Sequence, residues 1–135
     1  MKIALLGIVE DGSTRAPEVP LDSRRALRLP YGGYTTLVVK VVRACGVPYG
    51  LTSASLAAVL AVCPKQLGAR PLVSIAGSVS RDTITFRVTP GNFSRLPVGV
   101  YSYDVWLADS VNGVKEQILG RAEFVVAATS ATTAA

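Results

Sequence analysis

The sequence has no histidine, two cysteines and a single tryptophan. Histidine is the side chain that most often moves protons near neutral pH and the commonest metal ligand, so its absence removes the usual acid-base and nucleophile-activating arrangements. The many serines and threonines have no base beside them to act as nucleophiles. A zinc site would have to combine carboxylates with two distant thiols, so no metal is expected and no other cofactor. Gly-x-Gly-x-x-Gly and Gly-Lys-Ser/Thr spacings are missing, which excludes the common phosphate-binding loops and leaves the glycines as turn residues. Long apolar runs are missing too. None approaches the roughly 20 residues of a membrane-spanning helix, and no membrane partner is expected. Cys45 and Cys63 read as ordinary buried thiols more readily than as a bridge, which suits a reducing compartment.

What is present is a chain of 135 residues, half of them hydrophobic and 17% charged. That is enough for one domain with a real core. A mean hydropathy of +0.40 is too apolar for a disordered chain and high for an isolated one, so part of the surface is expected to meet a partner. Fourteen basic and nine acidic side chains leave a net charge of +5. Arg15, Arg24, Arg25 and Arg28 lie in one stretch, without the aromatic ladder of a nucleic-acid surface, and are read as a partner-facing basic segment. Direct nucleic-acid contact is not expected.

The start, Lys2 to Val9, is apolar, but Glu10 and Asp11 follow at once and no small-x-small site appears, so it predicts a first strand rather than a signal peptide. Residues 10–33 hold Pro17, Pro20 and Pro30 with little periodicity and predict an extended arm, disordered alone or held against a neighbour. From Thr35 to Arg43 the β-branched residues predict a strand. Residues 54–63 suit either a helix capped by Ser53 or a buried strand; their place between two strand-like segments points to the strand. Leu72–Ile75 predicts a short strand and Ala76–Ser78 a turn. Asp82–Val88 alternates, with Ile84, Phe86 and Val88 on one face, as a half-buried antiparallel strand does. Val100–Asp109 alternates again, with Tyr101, Tyr103, Val105 and Leu107 opposite Ser102, Asp104 and Trp106. Asn112-Gly113 then supplies a hairpin turn, because both residues tolerate positive φ. The return runs from Val114 to Val126, in two pieces with a bulge at Gly120. Short strands at about ten-residue spacing predict an all-β, antiparallel, immunoglobulin-like sandwich over residues 34–126, preceded by a strand and basic arm over 1–33 and followed by a flexible tail over 127–135.

Few residues suggest chemistry. Asp82, Asp104 and Asp109 are the acids nearest a possible pocket, and a carboxylate pair is the one route to hydrolysis left open. The simpler reading has Asp104 paired with a basic side chain across the sheet. Gly99 and Tyr101, after Leu96-Pro97, have the pattern of a tyrosine corner, in which the phenol bonds back to the chain near the turn. Trp106 on the opposite face suits core and interface equally.

Gly46-x-Pro48-x-x-Leu51-Thr52, Ile84-x-Phe86-x-Val88-Thr89, Leu96-Pro97-x-Gly99-x-Tyr101-x-Tyr103-Asp104-Val105-x-Leu107, a turn ending in Gly113, and Gly120-x-x-x-Phe124-x-Val126 follow one another in an order that resembles the immunoglobulin-like N-terminal domain of phage baseplate upper proteins and related tail proteins. The resemblance implies a structural virion protein, in such proteins usually a domain that docks a fibre or receptor-binding part onto the tail. It sets the expectation of a non-enzymatic baseplate, tail or neck component. Its partners would be other virion proteins, met in a multi-copy symmetric assembly, and its location the virion, assembled in the host cytoplasm. No fibre or receptor-binding section follows the matching stretch, so a capsid-surface decoration protein is an alternative. Another is a carbohydrate- or receptor-binding module in which Trp106, Tyr101 and Tyr103 stack on sugars.

Overall fold

The computed structural model describes residues 1–10, 12–20, 24–51, 56–66, 68–109 and 114–128. Along them, β-branched and small apolar residues alternate with polar ones in short runs, and these become strands: β1 (Lys2–Val9), β2 (Leu27–Pro30), β3 (Thr35–Arg43), β4 (Leu56–Pro64), β5 (Val73–Ala76), β6 (Ser78–Ser80), β7 (Thr83–Val88), β8 (Gly99–Asp109) and β9 (Val114–Ala127). A short 3-10 helix, Pro90–Arg95, follows β7. The segment that sequence left between helix and strand is the strand β4, and its inward Ala58, Leu60 and Val62 are buried. Ser53, Thr52, the Asn112-Gly113 turn and residues 129–135 lie outside the described residues.

The strands form a four-stranded sheet in the order β1-β3-β7-β6 and a five-stranded sheet in the order β2-β9-β8-β4-β5. The result is mostly β and sandwich-like, with one sheet curling strongly toward a half-barrel. It departs from the antiparallel immunoglobulin-like pattern expected from the sequence, because β1 runs parallel to β3 and β2 runs parallel to β9. Parallel neighbours need long connections. Here the chain leaves β1, crosses to the other sheet to form β2, and only then returns as β3.

That crossing also corrects the expected arm. Leu27 and Leu29 of β2 are 2% and 0% exposed, and Val19 packs against Ile8 and Val42 in a small second cluster. The backbone N–H of Ala16 donates to Ala44 O at 3.0 Å. The described part of the segment therefore packs against its own domain.

The main core is built by alternation. Leu37, Val39 and Val41 from β3, Ile84, Phe86 and Val88 from β7, and Tyr103, Val105 and Leu107 from β8 all point inward. The Tyr103 and Phe124 rings meet edge-on with centroids 5.9 Å apart. β8 and β9 pair from Gly99↔Val126 to Asp109↔Val114, but the register slips twice. Between Tyr103↔Ala122 and Val105↔Leu119 the extra residue falls at Gly120 and Arg121, and between Val105↔Leu119 and Trp106↔Gln117 it falls at Ile118. Two consecutive residues, Ile118 and Leu119, are consequently both buried, which strict alternation forbids. The return strand is continuous across Gly120.

Gly77 stands where the chain passes from β5 in one sheet to β6 in the other, and its N–H donates to Ala58 O at 2.9 Å. Cys45 and Cys63 are half-buried thiols.

Candidate functional site

The outward face of β8 and β9 carries a network of polar contacts. Alternation sends Ser102, Asp104 and Trp106 away from the core, and the register brings Cys63, Ala61 and Val59 of β4 beside them. Trp106 Nε1 donates to Asp104 Oδ1 at 3.0 Å, and Gln117 Nε2 donates to Oδ2 at 3.3 Å. The expected pairing of Asp104 with a basic side chain across the sheet is thus replaced by an indole and an amide. The Lys115 ammonium stands 5.1 Å above the indole centroid, a cation-π contact. Arg121 Nε donates to Ser102 Oγ at 3.1 Å while its Nη2 donates to the carbonyls of Pro64 and Lys65. Lys65 pairs with Glu123 at 3.1 Å. Between them lies an open pocket of about 290 Å³ lined by Lys65, Ser102, Arg121, Ala122 and Glu123.

Little reactivity follows from this. Burial, and then the nearby Asp104 charge, push the Cys63 thiol up, with Arg121 opposing, so the sulfur is held protonated and poorly nucleophilic. Asp104 and Asp109 are five residues apart on one strand and point to opposite faces. At about 3.4 Å per residue they stand roughly 17 Å apart. Glycosidase carboxylates lie about 5 to 9.5 Å apart. Asp82 is in the other sheet, at the β6–β7 turn.

The residues proposed for partner contact are spread apart. Arg15 pairs with Glu10 and donates to Pro20 O at 2.8 Å. The Arg25 guanidinium donates to Ala4 O at 2.6 Å on β1. Arg24 is exposed, with its stem 3.7 Å from where a Cβ on Gly120 would stand. Arg28 is exposed on β2 opposite Val125. Tyr101 Oη donates to Pro97 O at 2.6 Å, a reach back of four residues into the turn that precedes β8. Trp106 is half-buried and outward, whereas Tyr103 is 1% exposed and inward, so the three aromatics proposed to stack on sugars share no surface.

Sequence reasoning missed one contact that binds these parts together. Tyr103 Oη donates to Arg25 O at 2.5 Å, across 78 residues of chain, and so holds the entry to β2 against β8. The only sequence signal was a tyrosine at an inward position, which requires a partner for its hydroxyl when buried. Burial pushes the Tyr103 phenol up to about 12, with the Arg25 charge opposing. The unfolded phenol ionises near 10, so the native state holds this proton more tightly. Stability from this source is complete below pH 10 and is lost as pH rises from 10 through 12. Tyr103→Phe should cost about 0.5–1.5 kcal/mol at pH 7 for the lost hydrogen bond. It should also flatten the alkaline loss, a change visible in urea denaturation midpoints measured at several pH values.

No protein-family model and no curated protein matches the chain. Solved structures do. Its fold is similar to that of the N-terminal domain of phage TP901-1 ORF48. The TM-score is 0.52 at 9% identity, with 93% of this chain and 98% of that domain covered. The likeness therefore extends over nearly the whole of both chains, and it is a likeness of fold.

Proposed function

We propose that this chain is a non-enzymatic structural component of a tailed-phage particle, placed in the baseplate, tail or neck, and that it works through protein-protein contacts in several symmetric copies. The observation that carries this reading is the fold shared with a phage protein domain along nearly the whole of both chains. Supporting it are the sequence motifs between Gly46 and Val126, which resemble baseplate upper proteins, and a polar face in which Trp106 is tied to Asp104 and Arg121 to Ser102, as suits a rigid contact surface. A capsid-surface decoration protein would have the same chemistry and differs only in location. The carbohydrate-binding alternative is weakened by Lys115 over one side of the Trp106 ring and by the inward placement of Tyr103.

The test is mass spectrometry of gradient-purified, salt-washed particles. The chain should be present at a stoichiometry of several copies per particle and should show no glycan-array signal. Presence in the lysate but absence from washed particles contradicts the reading, as does sugar binding that Trp106→Ala abolishes.

A further inference from the structure

The two sheets differ sharply in charge. The four strands of the β1-β3-β7-β6 sheet carry Lys2, Lys40, Arg43 and Arg87 and no carboxylate, whereas the five-stranded sheet carries Asp104, Asp109, Glu116 and Glu123 among its cations. Register turns this composition into a map of the outward face. Lys2, Thr36 and Arg87 lie in one row; Ala4, Val38, Thr85 and Ser78 in the next; Leu6, Lys40, Thr83 and Ser80 in a third. Successive rows are about 6.6 Å apart along the strands. Lys2, Lys40 and Arg87 are exposed, and none has an ion-pair partner among the described residues. Among the described residues, Ala16 and Val19 cover the far end of this face at Ile8 and Val42, with Leu6 of the third row packed against the same cluster. Between the cations lie the hydroxyls of Thr36, Thr83, Thr85, Ser78 and Ser80, able to hydrogen-bond, together with the apolar Ala4, Leu6 and Val38.

We propose that this outward face, around Lys2, Lys40 and Arg87, is a docking surface for a different, acidic protein. A cationic patch with unpaired charges attracts a surface of the opposite sign and rejects one of its own. A second copy set face to face would oppose like charges. Nucleic acid is disfavoured by the lack of any aromatic at an outward position on these four strands, since bases need π-faces on which to stack. The proposal rests on the virion reading only for where the partner resides; the surface is tested without particles, so the failure of one is separable from the failure of the other.

The experiment is an amide chemical-shift titration of the full chain with poly-L-glutamate at low salt. Shifts should concentrate on β1, β3, β6 and β7. Lys40→Glu/Arg87→Glu should weaken binding about tenfold or more, while Arg70→Glu/Arg95→Glu, the same charge change in exposed positions outside this sheet, should stay within about twofold. Lys2→Glu/Arg87→Glu replaces the first pair if that one does not fold. The proposal is overturned if the control pair weakens binding equally, if the shifts fall outside this sheet, if oligothymidylate binds the same face more tightly than polyglutamate, or if the chain self-associates in a way the double reversal abolishes.

Discussion

Gly77→Val should be among the most damaging single substitutions in this protein. A Cβ at Gly77 would stand 2.6 Å from Ile84 Cγ2 and 2.7 Å from Phe86 Cε1, both on fully buried side chains. Neither can withdraw, because each is enclosed by the facing sheet. Overpacking of this kind typically costs about 1–3 kcal/mol, so Gly77→Ala should fall within that range and Gly77→Val at or beyond its upper end. The cost is steric, because the chain turns between sheets here through backbone that passes directly over the core. Gly91→Ala is the control: its Cβ meets only Thr89 Oγ1, at 3.9 Å, and the change should stay within about 0.5 kcal/mol. Urea denaturation measures both. Equal midpoints for the Gly77 and Gly91 variants would mean that the corner is looser than described.

Leu29→Ala should cost about 2–5 kcal/mol, the range for a buried leucine whose neighbours relax only partly. Leu29 is fully buried on β2, and its neighbour Arg28 is exposed on the same short strand. Arg28→Ala should therefore be nearly silent for stability. The pair distinguishes a strand of the sandwich from an arm awaiting a partner: in a free arm both substitutions would be silent. It follows that deleting residues 10–33 would remove part of the core and cost folding itself, so any loss of assembly in that deletion says nothing about docking.

The strands whose inward residues alternate over five or more positions were legible: β3, β7 and β8 announce themselves because one face must be apolar and the other need not be. β4 was ambiguous by composition, since a run of alanine, valine and leucine suits helix and strand alike, and its neighbours decided it. β2 was hidden for a different reason. Leu27-Arg28-Leu29-Pro30 offers only two inward positions, and what makes it a strand is Phe124 to Ala127 nearly a hundred residues later. The parallel pairings were hidden for the same reason, as partner choice depends on contacts that no local pattern encodes. At the candidate surfaces, Gly120 marked one bulge, but the second, at Ile118, has no glycine to mark it. The partner of Asp104 was misjudged because Trp106, two residues along the same strand, reaches it before any cation across the sheet does. Arg15, Arg24, Arg25 and Arg28 are close in sequence, yet Arg15 pairs with Glu10, Arg25 reaches Ala4 of β1 and Arg28 lies on β2, whereas the cations left unpaired on one face, Lys2, Lys40 and Arg87, are far apart in sequence and meet only through strand register.

The most direct test of the account is a three-dimensional reconstruction of the purified phage particle. The account predicts density fitted by this two-sheet fold in several symmetric copies at the tail, baseplate or neck, with the Lys2, Lys40 and Arg87 face against an acidic neighbour. A particle whose density is fully assigned without this chain would contradict it.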